Sequence, residues 1–390
     1  MTSFVELRKK TGASLRVSKL IPGLLLLAGL SDFVLRLFPP GVFTFRAWEA
    51  MTLFVKDGEA FSPVKRYENE RSYGDLSNIG NLPKLRQYHR EVFTTDTLGF
   101  RNLPIQQPGQ LKTVLIGDSF AAGSGVSDED TLSQQLARLQ ASPVYNAARN
   151  PQDLEVTCRD ISNLDISNGL VIWELFERAP IPQFPSGEIQ PQRTLRSRLK
   201  DAISRRFPNA VPKQKVARKY LSDFLEYSPL SIEASRAYRV LQNDLVLPNT
   251  YKSNVAVYTL TNGASMLFIP QEIENYHKIR SLETKSVTEM KARLNAMGLR
   301  LLVLLVPGKY TVYYPLLRDA PASALDSPLY TNRLEASLRA AGIDVVNLTA
   351  VFRKSAAEAL ARGEYIYWLD DTHWTPSGIR IAAEELRRWM

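Results

Sequence analysis

Cysteine and histidine are scarce in this chain, and their scarcity excludes several kinds of site. The 390 residues contain one cysteine, Cys158, which excludes an internal disulfide framework and a cysteine-rich zinc site. No glycine-rich phosphate-binding loop and no RNA-binding signature occurs either. We therefore predict an activity that uses neither a metal ion nor a cofactor.

The chain contains more basic than acidic residues. Lys and Arg number 49 against 40 Asp and Glu, which gives a net charge of +9. Such a balance suits an anionic partner, either an acidic polymer, lipid headgroups or nucleic acid. Many of the basic residues fall in a proline-punctuated stretch at about 182–250. This stretch is either a solvated helical surface or a surface that attracts an anionic polymer or membrane headgroups.

The N-terminal region has the pattern of a membrane anchor. A basic segment, residues 1–19, precedes an apolar run over 20–38 that is interrupted by Asp32 and Arg36. About 20 apolar residues span a bilayer, and basic residues before the span favour a cytoplasmic N-terminus. A signal peptide and a buried amphipathic helix are the alternatives, but no small-residue cleavage site follows. We predict a retained single-pass anchor with the rest of the chain exported, where nucleic acid is not an expected partner.

Beyond the anchor, apolar runs alternate with helical patterns. Residues 41–110 show no sustained period and predict an irregular lead-in. Strands are then predicted over Thr113–Ile116, Val144–Asn146, Leu170–Phe176, Val255–Leu260, Met266–Ile269, Leu299–Val306 and Val345–Leu348. The alternation with helices predicts an α/β fold with a doubly wound parallel sheet over 111–390, and a mainly helical insertion at about 182–250.

Ser119 follows the first predicted strand of this sheet, in the segment GDSF. A serine in the turn between a parallel strand and a helix lies at the carboxyl edge of the sheet, where open α/β folds bind ligands. Backbone N–H groups of such a turn can face a developing oxyanion. Ser119 is therefore a candidate nucleophile.

A nucleophilic serine needs a base and a group that orients the base. Of the three histidines, His373 stands in the loop YWLDDTHWTPSG, with Asp370 and Asp371 just upstream. His89 and His277 are better interpreted as solvated or locally capped side chains. The sequence therefore predicts that His373 is the base and that one of the two aspartates orients it.

Three segments together carry a family resemblance: LGFRN, VLIGDSFAAGSGV and DDTHWTPSG. This combination resembles the SGNH/GDSL hydrolases, and particularly the exopolysaccharide branch that includes alginate O-acetyltransferases. The resemblance implies a three-layer, flavodoxin-like SGNH fold, with Ser119 as nucleophile and His373 as general base and acid. The pattern DxxH selects Asp370 as the third member and DxHW selects Asp371. Because Trp374 follows the histidine, the second pattern is favoured.

The oxyanion hole departs from the family. Its usual glycine and asparagine are missing, which leaves Asn146 and Asn150 as candidate amide donors. Arg178 is either a charged donor that also holds an acidic sugar, or the partner of Glu177 or Glu174 in a salt bridge. Lys309 and Trp374, with several tyrosines, are candidates for a carbohydrate-facing cleft, and core packing is the alternative for the aromatic residues.

The resemblance implies O-acetyl transfer to a cell-surface or secreted polysaccharide, either anionic or neutral, through an acyl-serine. Together with the anchor, it implies a bacterial inner membrane, with the catalytic domain in the periplasm or outside the cell. A carbohydrate acetylesterase of the same fold is the first alternative, since the chemistry up to the acyl-enzyme is shared. A catalytically degenerate factor for polysaccharide binding or assembly is the second. Polysaccharide biosynthesis proteins are expected partners, and the acyl donor is left open.

Overall fold

The computed structural model describes residues 21–38, 40–52, 61–103, 111–149, 152–164, 166, 168–184, 228–241, 254–276, 278–318 and 329–390. The chain divides into two compact units. The first comprises residues 1–44 and 198–248, and the second comprises residues 45–197 and 249–390.

In the first unit, residues 21–35 form a helix and a second helix spans Pro229–Leu241. The carboxylate of Asp32 accepts hydrogen bonds from Ser228 Oγ at 2.7 Å and from Leu230 N at 3.2 Å. Among the described residues, no helix has both the length and the apolarity needed to cross a membrane. The anchor at 20–38 stays a prediction, and most of the basic stretch at 182–250 lies outside the described residues.

The second unit holds nine strands within the described residues. Their bounds are β1 Arg66–Ser72, β2 His89–Thr94, β3 Thr113–Ile116, β4 Val144–Asn146, β5 Leu170–Phe176, β6 Ala256–Thr259, β7 Ser265–Phe268, β8 Arg300–Val306 and β9 Asp344–Asn347. Five of them form one sheet in the order β4-β3-β5-β8-β9, and all neighbours are parallel. Numbered along the chain, this order is 2-1-3-4-5, the flavodoxin-like arrangement, with its switch point at β3.

Helices cover both faces of this sheet, because the connections run in opposite directions on the two sides of β3. One group packs around Pro376–Arg387, which contacts Leu132–Gln140 and Thr349–Ala361. The other group contains Leu154–Ser162 and Lys285–Ala296, which contact each other, and Tyr330–Ala340, which packs on β9. The shorter helices are Ala47–Thr52, Asp75–Ile79, Ser119–Ala122, Pro270–Tyr276 and Lys309–Tyr313. The predicted doubly wound α/β fold is confirmed.

Two parts of the second unit differ from the prediction. The lead-in is not wholly irregular, because β1 and β2 pair as an antiparallel sheet. Strands β6 and β7 pair antiparallel with each other and do not join the parallel sheet. The charged residues of β1 and the two middle residues of β6 are exposed, so neither strand has the continuous apolar run of a buried strand.

The core lies on the two faces of the five-stranded sheet. All seven residues of β5 are buried, as are six of the seven in β8. This burial fixes the carboxyl ends of β3, β5 and β8 side by side. The turns that follow these strands carry the site.

Candidate active site

The turn after β3 presents Ser119. Asp118 caps the helix Ser119–Ala122 by accepting a hydrogen bond from Phe120 N at 2.9 Å. As the first residue of that helix, Ser119 has a backbone N–H with no intrahelical acceptor. Gly117 is required by close packing, since a Cβ there would lie 2.5 Å from Oε2 of Glu174. The turn therefore holds the Ser119 side chain and an uncommitted N–H on the carboxyl edge of the sheet.

The Ser119 hydroxyl begins a chain of three hydrogen-bonded side chains. Its Oγ lies 2.9 Å from Nε2 of His373, and Nδ1 of His373 lies 2.6 Å from Oδ1 of Asp371. The same Asp371 oxygen also accepts the backbone N–H of His373 at 2.9 Å. His373 and Asp371 are buried, whereas Ser119 is partly exposed. This is the arrangement of a serine nucleophile, a base and an orienting carboxylate.

Asp370 faces away from this chain of hydrogen bonds. Its Oδ2 accepts hydrogen bonds from Gly74 N at 2.9 Å, Ser77 Oγ at 3.0 Å and Gln87 N at 2.9 Å. All three donors belong to the lead-in. The carboxyl group of Asp370 therefore attaches the lead-in to the loop 367–378 that carries His373, called here the histidine loop. Asp371 is the aspartate in contact with His373.

Two lead-in residues that the sequence analysis missed complete the surroundings of Asp371. Arg46 Nη1 lies 2.7 Å from Asp371 Oδ2, and Asp75 N donates to the same oxygen at 2.8 Å. Burial would raise the pKa of Asp371, but Arg46, His373 and this hydrogen bond lower it below its ordinary value. Asp371 therefore stays ionised beside the imidazole. No local sequence signal marks Arg46, which is 325 positions away from Asp371.

Asp75, Asp371 and His373 bring ligand atoms within 4.8 Å of one another, a spacing that a metal ion could use. The guanidinium group of Arg46 lies 3.6 Å from Asp75 and 2.7 Å from Asp371. It already supplies the positive charge that these carboxylates need. Asp75 also accepts two hydrogen bonds from Thr372, from its backbone N at 2.9 Å and its Oγ1 at 2.8 Å. These ion pairs and hydrogen bonds are better explained as contacts that hold the loop in place than as a metal centre.

Lys309 and Trp374 are both buried, so neither faces a substrate cleft: the prediction for Lys309 was wrong, and for Trp374 the alternative of core packing holds. Lys309 is 1% exposed, and its Nζ donates to the carbonyl oxygens of Leu267 at 2.7 Å, Asp371 at 3.0 Å and Leu369 at 3.1 Å. Its ammonium group thus holds the histidine loop from beneath, and burial lowers its pKa to about 8. Trp374 is fully buried, with its ring packed against Phe120 at a centroid distance of 5.4 Å.

The three candidate oxyanion donors, Asn146, Asn150 and Arg178, have different outcomes. Asn146 is fully buried, where its Nδ2 donates to Ala121 O at 2.9 Å and its Oδ1 accepts from Ala148 N at 3.1 Å. It is therefore part of the scaffold around the serine turn and not an open donor. Asn150 lies outside the described residues. Arg178 lies 3.5 Å from Glu272, so the salt-bridge alternative holds with a different acid from Glu177 or Glu174, and the role of Arg178 as an oxyanion donor stays a prediction.

A cleft with a volume of about 260 Å³ opens beside the serine turn. Asp118 lines one side, and the rest is lined by Gln152, Glu174, Leu175, Phe176 and the segment from Ala179 to Pro182. Glu174 and Gln152 were not among the predicted site residues. Glu174 stands in the middle of an otherwise apolar strand, and that break in the pattern was the signal that could have identified it.

Comparison with known proteins connects the histidine half of the site to a family. Residues 267–390 match the family described as "SGNH hydrolase-like domain, acetyltransferase AlgX". This region includes the loop with Asp371 and His373 and does not include Ser119. Less than half of the chain is matched.

Two curated relatives are both named "Probable alginate O-acetylase AlgJ". The one from Pseudomonas putida is 34% identical over 93 residues, which are 24% of this chain and 23% of the relative. The one from Pseudomonas fluorescens is 28% identical over 102 residues, which are 26% of this chain and 25% of the relative. The matches therefore span about a quarter of the length of these relatives.

A solved "putative SGNH hydrolase" from Slackia heliotrinireducens aligns over 71% of this chain and 97% of its own, with 13% identity and a TM-score of 0.32. The family match and the two curated relatives confirm the resemblance to the SGNH superfamily and to its alginate-type acetyltransferase branch.

Proposed function

We propose that this chain is an exported, membrane-anchored enzyme that transfers O-acetyl groups to a polysaccharide through an acyl-Ser119 intermediate. Ser119 acts as nucleophile, His373 as general base and acid, and Asp371 as the carboxylate that orients the imidazole. The observation that carries the proposal is the continuous chain of contacts, 2.9 Å from Ser119 Oγ to His373 Nε2 and 2.6 Å from His373 Nδ1 to Asp371 Oδ1.

In the first half-reaction, Ser119 Oγ attacks the ester carbonyl carbon while His373 Nε2 accepts its proton. The ionised Asp371 stabilises the imidazolium that forms. The N–H of Ser119 is placed to donate to the oxygen that becomes negatively charged. The bond from the carbonyl carbon to the leaving oxygen then breaks, and His373 returns the proton to that oxygen.

In the second half-reaction, a hydroxyl group loses its proton to His373 and attacks the carbonyl carbon of the acyl-serine. The bond from that carbon to Ser119 Oγ then breaks, and His373 returns the proton to Ser119 Oγ, which restores the free enzyme. A sugar hydroxyl gives transfer, and water gives ester hydrolysis. The names of the curated relatives and the family match favour transfer. Acetylesterase activity is the alternative, because the two reactions share the acyl-enzyme.

The acyl-enzyme is the first thing to test. The purified protein is incubated with a chromogenic acetyl ester, and the protein is examined by mass spectrometry. We expect slow Ser119-dependent turnover and an acetylated Ser119 peptide. Ser119→Ala should reduce turnover by at least about a thousandfold, because it removes the nucleophile.

Ser142→Ala is the matched control. Ser142 lies just before β4, at the amino edge of the sheet and so at the end opposite the site. This variant should retain the wild-type rate. Absence of both turnover and acyl-enzyme in the wild-type protein would contradict the proposal and favour the degenerate binding or assembly factor. Adding a polysaccharide acceptor then separates transfer, which labels the polymer, from hydrolysis, which releases acetate.

A further inference from the structure

The cleft beside the serine turn contains polar atoms that the proposed chemistry does not use. It lies against Asp118, the residue that precedes the nucleophile, and its other lining residues include Gln152, Glu174, Phe176 and Ile181. Its volume of about 260 Å³ is near the lower end of the range for small-molecule sites. The space is therefore suited to a unit the size of a single sugar ring.

Gln152 lines this space and brings a buried amide to its wall. Its Oε1 accepts a hydrogen bond from the indole Nε1 of Trp173 at 3.1 Å. The indole nitrogen can only donate, so this contact fixes which end of the amide is oxygen. The Nε2 of Gln152 is buried and has no hydrogen-bond partner among the described residues.

Glu174 offers a second polar atom. The residue is 2% exposed, and its Oε2 accepts a hydrogen bond from Asp118 N at 3.1 Å. Its Oε1 is buried and makes no hydrogen bond within the described part of the chain. Burial, and then the neighbouring Asp118, raise the pKa of Glu174 well above its ordinary value. This shift favours the protonated form, and a protonated carboxyl group can donate a hydrogen bond as well as accept one.

We propose that this cleft binds a neutral sugar residue of the polysaccharide acceptor, with Gln152 Nε2 and Glu174 Oε1 each hydrogen-bonded to a hydroxyl group. The proposal rests on the proposed function, because it places the acceptor next to the acyl-serine. Buried polar atoms without partners are costly, and a ligand that supplies partners recovers that free energy.

The lining also argues for a neutral ring over an acidic one. Two carboxyl groups, those of Asp118 and Glu174, line the cleft, and neither lysine nor arginine is among its described lining residues. A uronic acid carboxylate would find no cation here to offset the free-energy cost of burying its charge. The remaining wall is apolar, formed by Leu175, Phe176, Ala179, Pro180, Ile181 and Pro182. Such a wall suits the apolar face of a pyranose ring.

The test measures binding without turnover. Neutral tetrasaccharides built on glucose, mannose or galactose, and an oligogalacturonide of the same length, are titrated into the full chain carrying Ser119→Ala by calorimetry. We expect at least one neutral oligosaccharide to bind more tightly than the uronic acid oligomer. Adding Gln152→Glu should weaken that binding about tenfold, since it removes the Nε2 donor while keeping an acceptor for Trp173.

Gln140→Glu is the matched control, because Gln140 ends the helix Leu132–Gln140 before β4, at the opposite edge of the sheet. It should leave binding unchanged. A thermal melt of each variant shows whether it is folded, and Glu174→Gln serves as a second probe if Gln152→Glu is not.

Three outcomes would overturn the proposal. They are tighter binding of the uronic acid oligomer, binding of none of the oligosaccharides, or equal binding by folded variants with and without the Gln152 amide. If Gln152→Glu leaves binding unchanged and, when introduced into the chain that keeps Ser119, slows acyl-enzyme formation from the small acetyl ester, its amide serves the acyl oxygen and the sugar assignment is wrong. Failure of the proposed function is recognised separately, as absence of Ser119-dependent acyl-enzyme in the wild-type protein.

Discussion

At the scale of single residues, two neighbouring aspartates make entirely different contacts. Asp371 touches His373 and Arg46, while Asp370 accepts three hydrogen bonds from the lead-in. The backbone bends at both residues and their side chains point in different directions, so adjacency in sequence does not mean a shared role. The contacts assign Asp371 to the imidazole and Asp370 to the attachment of the lead-in.

This division predicts opposite phenotypes for two matched variants. Asp371→Asn should lower kcat for ester turnover by about 10⁴-fold, because the imidazole loses the carboxylate that sets its tautomer and stabilises its charge. Asp370→Asn should change kcat much less and should lower the melting temperature, since a neutral amide is a weaker acceptor for three buried donors. Steady-state kinetics and thermal denaturation of both variants provide the measurement.

If Asp370→Asn shows the larger loss of kcat in folded protein, the assignment is reversed.

The two sequence patterns, DxxH and DxHW, are both satisfied by this loop, so the sequence could only favour one aspartate through Trp374. The role of Arg46 could not be predicted from the sequence, because a partner 325 positions away leaves no local pattern. Lys309 was misjudged because a lysine at a strand end is usually exposed, whereas this one is saturated by three carbonyl oxygens.

At the scale of helices and strands, prediction succeeded where strands are buried on both faces. The bounds of β3, β4 and β5 agree with the predicted ranges residue for residue. Their continuous apolar runs are the strongest signal that a parallel sheet gives. In contrast, β1 is RYENERS, whose charged residues are exposed on a two-stranded sheet, and no apolar alternation reveals it.

The helices Pro270–Tyr276 and Lys309–Tyr313 meet through a buried acid. Glu272 Oε2 accepts a hydrogen bond from Tyr310 N at 3.2 Å, and its other oxygen lies 3.5 Å from Arg178 Nε. Burial is the largest cause that raises the pKa of Glu272 to about 7, from an ordinary value of 4.5. The folded state therefore holds this proton more tightly than the unfolded chain does.

From this shift, we expect stability to depend on pH through Glu272. Between the ordinary pKa and about 7, the folded state binds more protons than the unfolded state, so the free energy of unfolding falls as pH rises through that window. The shift corresponds to about 3 kcal/mol. Glu272→Gln should remove most of this decline, measured by urea denaturation at pH values of about 5 and 8.

Glu274→Gln is the control on the same helix, because Glu274 is 63% exposed and pairs only at the surface with Lys278. It should leave the difference between the two pH values unchanged. An equal decline in Glu272→Gln and the wild-type protein would show that this carboxyl group is ionised in the folded state at the lower pH.

At the scale of the whole molecule, the N-terminal helix presents an unusual surface. Within residues 21–35, the carboxylate of Asp32 accepts a hydrogen bond from Ser228 and pairs with Arg36, whereas several leucine side chains are exposed to solvent. Leu25, Leu26 and Leu30 are 68%, 76% and 59% exposed. A contiguous apolar surface of this kind normally contacts a membrane or another protein. The basic residues in 1–19 add the charge expected on the cytoplasmic side of an anchor.

The proposed membrane attachment therefore depends on these leucines. We expect the full chain to sediment with membranes after an alkaline carbonate wash, and the triple variant Leu25→Gln, Leu26→Gln, Leu30→Gln to shift to the supernatant. Each glutamine makes the partition of the helix into lipid less favourable, while the carbon skeleton stays similar in size. Leu98→Gln is the control, since Leu98 is also 54% exposed but lies in the lead-in. Equal sedimentation of the triple variant and the wild-type chain would contradict attachment through this helix, and a wild-type chain found in the supernatant would contradict the anchor itself.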